Sequence, residues 1–184
     1  MWIDTTLYSG RPLSDQGRLD KELACYDLLD LLGIPYQRVD HDPANTIADC
    51  SQVEAYLGTR ICKNLMLCNR QKTEFYLLLM DGAKPFHTKD LSKQIGSSRL
   101  SFAPPEAMEA YLSVTPGSAT ILALMNDTDH RVHLLLDQSV GQAERIGCHP
   151  CINTSSLSIS MKALQEKFLP HLGVEPQMVD LLED

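Results

Sequence analysis

Three observations predict an α/β (α+β) fold: a compact, mixed, largely antiparallel, barrel-like sheet with surrounding helices. Short apolar strand candidates alternate with short helices, without the long, even crossovers of a parallel sheet. Several strands are joined by near-hairpin polar turns such as Asn69–Lys72. The 184 residues are 43% hydrophobic and 22% charged, which suits one domain over 1–184 with a proper core.

In order, residues 1–18 carry Gly10, Pro12 and Gly17 with little periodicity and read as an irregular N-terminal arm. From Leu19 to Leu32 the apolar residues recur at helical spacing. Asp20 and Glu22 occupy the first turn, Gly33 follows the end and Pro35 bars continuation. Tyr36–Asp40 is a short strand and His41–Pro43 a turn. Asp49 or Ser51 is the expected cap of a helix that runs through Leu57 and stops at Gly58. Arg60–Asn69 and Phe75–Met80 are paired strands. Thr88 caps a helix to Ile95, Arg99–Phe102 is a short strand, and Pro104 and Pro105 open the helix Glu106–Leu112. Thr120–Met125, Val132–Leu136, 142–147 and Leu157–Ile159 read as strands. Ser160 caps a last helix through His171, and the tail from Gly173 is acidic.

The stretch Arg60–Asn69 raises the first functional question. Ile61, Lys63, Leu65 and Leu67 share one parity, so a lysine lies on the strand's apolar side. A lysine there either snorkels to the strand's edge or forms the cationic floor of a pocket for an anion. Net charge is −8, which argues against a general nucleic-acid binder. The charge is uneven, however. Residues 59–99 hold 8 basic and 3 acidic side chains, whereas both flanks are strongly acidic. Such an island suits one localised anion, such as a nucleic-acid end, better than a long duplex.

No apolar run approaches the ~20 residues of a membrane span. The start, Met-Trp-Ile-Asp, lacks the basic region of a signal peptide, and six cysteines in such a chain read as reduced thiols. The expectation is a cytoplasmic protein without membrane association. Cys148-His-Pro-Cys151 has the spacing of a dithiol redox site or half a zinc site. It lies late in the chain, opens no helix and has no second C-x-x-C partner, so neither metal nor cofactor is expected. Cys62 alternates away from Lys63 and reads as packing.

Five segments taken together carry a resemblance. Cys62-Lys63-Asn64-Leu65, Arg99–Ala103, Val114-Thr-Pro-Gly-Ser118, Leu124–Asp127 and Gly147-Cys-His-Pro-Cys-Ile-Asn-Thr154 resemble, in order and spacing, the YbaK/prolyl-tRNA editing family. Within it they are most similar to the free-standing Ala-tRNA(Pro) deacylases, called ProXp-ala or PrdX. The likeness runs from about residue 19 to residue 176.

It implies a trans-editing hydrolase that cleaves the ester of a mischarged tRNA, with that tRNA's 3′ end and prolyl-tRNA synthetase as partners. The family's catalytic lysine, asparagine and histidine match Lys63, Asn64 and His149. Its substrate loop Gly-x-x-x-Pro matches Gly117, Ser118, Ala119, Thr120 and Ile121, with isoleucine in place of proline. On this reading Lys63 holds a phosphate or the ester oxygens, backbone N–H groups of Gly117–Ala119 meet the carbonyl oxygen, and His149 positions the amino acid or closes the pocket. A bound water attacks with help from the substrate's own hydroxyl. Cys-tRNA(Pro) is the rival substrate. A thiol oxidoreductase built on Cys148 and Cys151, and a non-catalytic tRNA- or synthetase-binding module, are the other readings.

Overall fold

The computed structural model describes residues 1–181 and folds them as two facing sheets. In the first, β1 (Tyr8–Ser9), β2 (Tyr36–Asp40), β8 (Ser155–Ser160) and β7 (Arg145–Cys148) lie in that order, all antiparallel. In the second the order is β5 (Ser101–Phe102), β3 (Lys63–Cys68), β4 (Phe75–Met80), β6 (Val132–Asp137) and β9 (Gln177–Val179). The first three of these pair antiparallel, while β4–β6 and β6–β9 pair parallel. Among the described residues the sheets do not close into a barrel. They meet at an isolated parallel bridge between Ile61 and Gly147.

Alternation along the strands sorts side chains into layers. Met66 and Cys68 of β3, Leu77 and Leu79 of β4, and Leu157 and Ile159 of β8 fill the main core between the sheets. Leu67, Leu78 and Leu135 pack on the other face of the second sheet, beneath Leu91 of α3 (Thr88–Ile95). Val39 of β2 packs against Val53 and Leu57 of α2 (Ile47–Leu57), with Ile61, as a third cluster. The sheets therefore lie between helices, with α1 (Asp20–Leu31) and α4 (Pro105–Leu112) contributing to the central core. No helix among the described residues is long and apolar enough to cross a membrane.

Several expectations shift. The cap of α2 is Thr46, whose side chain accepts from the Asp49 N–H while Asp49 reaches back to the Thr46 N–H; Asp49 is the third helical residue, not the cap. The apolar run after Thr120 is a 3-10 helix, Ile121–Asn126, not a strand. Four consecutive residues, Ile121–Leu124, are buried, so its composition carries no strand period. A short α5 (Gln138–Gly141) follows β6. The last helix is α6 (Met161–Ala163), a π-helical turn at Leu164–Phe168, and α7 (Leu169–Leu172). Beyond it the acidic tail adds β9. Residues 1–18 hold β1 and a bridge from Ile3 to His41.

One partly buried ion cluster ties the first sheet to α1. Asp40 meets Arg18 at 2.9 Å and also Arg38, and it accepts from Ser155 Oγ at 2.7 Å. Burial alone would raise the Asp40 carboxyl, but these three donors overcome it and hold it well below the usual carboxylate range. Arg38 is 3% exposed, so Asp40→Ala strands a buried guanidinium. The substitution is expected to destabilise by ~3–5 kcal/mol in urea unfolding at pH 7. Because the folded pKa lies below the unfolded 3.8, this stabilisation is complete above about pH 4 and fades only on further acidification.

Candidate active site

A cavity of about 550 Å³ opens where the two sheets meet, a size suited to a small-molecule end group. Lys63, Asn64, Gly117, Ala119 and His149 all line it. Three separate segments therefore deliver five of the seven residues picked from sequence to one place.

The β3 segment reaches the cavity because its edge is open there. β5 pairs with β3 only at Leu67–Phe102 and Cys68–Ser101, and the Ala103 N–H reaches Met66 O at 2.9 Å. The edge over residues 63–65 lies beyond that pairing and borders the cavity. Lys63 is half-buried and makes no ion pair among the described residues, so its ammonium is available to a ligand. Its parity mates Leu65 and Leu67 belong to the layer under α3, not to the central core. Asn64 takes the opposite parity. Its Nδ2 donates to Cys62 O at 3.2 Å, and its Oδ1 is buried without a partner. A buried acceptor left unpaired is costly and calls for an explanation.

The loop Thr115–Ser118 forms the facing wall. Gly117 sits at φ +89°, in the left-handed region that favours glycine, and lines the cavity. Ser118 does not: it is buried, and its N–H is already bonded to Thr115 O at 3.0 Å. That N–H is not free to meet an oxyanion, whereas those of Gly117 and Ala119 make no hydrogen bond among the described residues. Ile121 is also absent from the lining. It is fully buried at the first position of the 3-10 helix, where proline is equally at home. The Thr120 side chain, accepting from the Leu122 N–H at 3.3 Å, caps the helix. Ile121 therefore supports the loop from behind.

His149 enters from the turn after β7 and is 7% exposed. Its Nδ1 lies 3.0 Å from Ser155 O and 3.2 Å from Ser156 Oγ. Burial pushes its pKa down to about 4, so the ring is neutral at physiological pH. The thiols on either side are packed away. Cys148 and Cys151 are both fully buried, Cys151 Sγ lies 3.5 Å from Cys25 Sγ, and burial raises the Cys148 thiol far above its ordinary value. Nothing here resembles an exposed, acidified redox cysteine.

Sequence reasoning missed residues on α2. Ile47, Cys50, Ser51 and Glu54 follow one helical face and line the cavity, and Glu54 Oε1 accepts from the Ile61 N–H at 2.8 Å. The i, i+3, i+4, i+7 spacing was visible, but nothing in it distinguished a cavity wall from a solvated face. Asn45 and Asn153, joined at 2.9 Å, tie two rim loops beside Gly117. Phe102 is an exposed aromatic on the lining.

The model for the aminoacyl-tRNA editing domain matches residues 41–167. The prolyl-tRNA editing protein ProX of Acetoanaerobium sticklandii is 28% identical over 80% of this chain and 90% of its own length. The prolyl-tRNA synthetase associated domain-containing protein 1 of Bos taurus is 32% identical over 79% of this chain and 86% of its own. A crystal structure proposed to be a trans-editing enzyme for prolyl tRNA synthetase superposes with a TM-score of 0.65, covering 90% of this chain and 99% of that one at 16% identity.

The thiol geometry makes a direct prediction. Brief treatment of the native protein with iodoacetamide near pH 8 should leave Cys148 and Cys151 unmodified by mass spectrometry, with alkylation led by the half-buried Cys50, because burial pushes the Cys62 thiol up to about 12.

Proposed function

The chain belongs to the aminoacyl-tRNA editing domain family, and we propose that its task is to hydrolyse alanine esterified in error to tRNA(Pro). It is an aminoacyl-tRNA deacylase with a prolyl-tRNA trans-editing function, and a mischarged tRNA is its substrate. The choice of alanine and the residue roles below are our reading.

The observation that carries the reading is the convergence of an unpaired cation, an orphaned acceptor and free main-chain donors on one cavity. An aminoacylated 3′ end presents phosphates, a polarised ester carbonyl, a ribose hydroxyl and an α-ammonium. Lys63 meets the phosphate or ester oxygens as a point charge. Asn64 Oδ1 supplies an acceptor for a hydroxyl or ammonium donor, which would satisfy the buried oxygen. The N–H groups of Gly117 and Ala119, without hydrogen bonds among the described residues, take the charge that develops on the carbonyl oxygen, with Gly117 allowing close approach. Water attacks the ester, aided by the neighbouring ribose hydroxyl; the ester C–O bond breaks, the water's proton passes to the leaving ribose oxygen, and free amino acid and tRNA remain.

Selectivity follows from size. A synthetase site that accepts proline rejects a smaller amino acid weakly, because each missing methylene is worth only ~1–3 kcal/mol. A second pocket that admits alanine and excludes the proline ring removes the error. Prolyl-tRNA synthetase is the fitting partner, since it makes the mischarged species.

A deacylation panel of alanyl-, cysteinyl- and prolyl-tRNA(Pro) tests the reading. Alanine should be released fastest and proline spared, and Lys63→Ala should lower the alanine rate about a hundredfold or more with the fold intact. Faster release of cysteine would reassign the substrate, and a Lys63→Ala protein of wild-type rate would remove Lys63 from the mechanism.

A further inference from the structure

His149 ends a hydrogen-bond chain that runs back from the cavity into the first sheet, and backbone carbonyls bind both of its histidines. His41, immediately after β2, is 3% exposed, and its Nδ1 lies 2.7 Å from Asp42 O. Its Nε2 lies 2.8 Å from Ser156 Oγ on β8. Ser156 Oγ is in turn 3.2 Å from His149 Nδ1, which is also 3.0 Å from Ser155 O. The two rings are 6.2 Å apart, centre to centre.

Donor and acceptor rules give this chain one direction. A carbonyl can only accept, so the proton of neutral His41 is on Nδ1 and that of neutral His149 is on Nδ1. His41 Nε2 is then a bare acceptor, and the donor within its reach is the Ser156 hydroxyl. With its single proton committed to His41, Ser156 cannot donate to His149 and instead offers it a lone pair. Reversing the chain would set both carbonyls against ring lone pairs. The remaining ring atom, His149 Nε2, makes no hydrogen bond among the described residues, and its ring lies in the cavity wall.

We propose that His41 and Ser156 are positioning residues that lock His149 in its Nδ1–H tautomer, so that the cavity receives a hydrogen-bond acceptor at Nε2 for an N–H or O–H donor of the aminoacyl end. This rests on the deacylase reading. The opposite tautomer would turn an N–H toward the α-ammonium or the ribose hydroxyl proton and oppose binding. Ser156 works here by having its proton withheld, and His41 is the group that withholds it. Of the two carboxylates that flank His41 in sequence, Asp40 is engaged by Arg18, Arg38 and Ser155 and Asp42 accepts from the Trp2 N–H at 2.7 Å, so neither enters the chain.

Nitrogen NMR of the histidine-labelled full chain at pH 7.5, with His149 assigned by its loss in His149→Asn, reads the tautomer without substrate. A pyrrole-type Nδ1 and a pyridine-type Nε2 are expected; a protonated Nε2 overturns the proposal, whether or not the protein hydrolyses aminoacyl-tRNA. In His41→Phe the released Ser156 hydroxyl should turn toward His149, bring up the second tautomer and slow alanine release about tenfold. Adding Ser156→Ala removes that hydroxyl and should restore the single tautomer and part of the rate, which loss of packing alone would not do. A folded His41→Phe protein with an unchanged tautomer and rate also overturns it. Absence of deacylation by a wild type that shows the expected tautomer sinks the functional reading and leaves the lock standing.

Discussion

The site depends on a close main-chain contact between the sheets at Gly147. The Gly147 N–H donates to Arg60 O at 2.8 Å, and the Cys62 N–H donates back to Gly147 O at 3.0 Å. A Cβ at Gly147 would lie 2.9 Å from Arg60 O and 2.9 Å from the Ile61 side chain, closer than atoms of this kind approach. Only a residue without a side chain permits the seam. Lys63 follows the seam on one strand and His149 on the other, so one contact sets the spacing between the cation and the imidazole.

The surrounding polar groups hold that seam in register. Glu54 of α2 accepts from the Ile61 N–H inside it. Behind it, β8 presents three fully buried serines, and each has partners: Ser155 with Asp40, Ser156 with His41 and His149, Ser158 with Thr59 and Arg145. Buried polar networks are expensive unless satisfied, and a satisfied one fixes a single arrangement. The Arg18–Asp40–Arg38 cluster anchors the far end of this row to α1 through Ser155 and Glu22. A line of polar contacts thus runs from the first helix to the cavity wall.

The fold's elements were largely legible because they obey short periods. The helix Asp20–Leu31, the strands around Met66 and Leu78, and the proline-started helix Pro105–Leu112 all follow local rules. The lysine, asparagine and histidine were found through ordered segments, and the structure brings them to one cavity. The interior resisted reading. The run Ile121–Met125 carries no period because four consecutive residues, Ile121–Leu124, are buried, and Lys63's parity indicated a shared face without saying which of two cores that face meets. Glu54, His41 and Ser156 gain their roles from contacts between distant segments, which no local pattern encodes. Of the loop picked out by the resemblance, Gly117 and Ala119 line the cavity, whereas Ser118 and Ile121 turn inward because the 3-10 helix begins immediately behind them.

Gly147→Ala tests the seam most directly, because it adds one methyl group outside the cavity lining. The initial rate of deacylation of mischarged tRNA should fall about a hundredfold in a protein that still unfolds cooperatively, since displacing reacting groups by about an ångström costs on that order. A folded Gly147→Ala protein that hydrolyses the substrate at the wild-type rate would contradict the claim that this contact assembles the site.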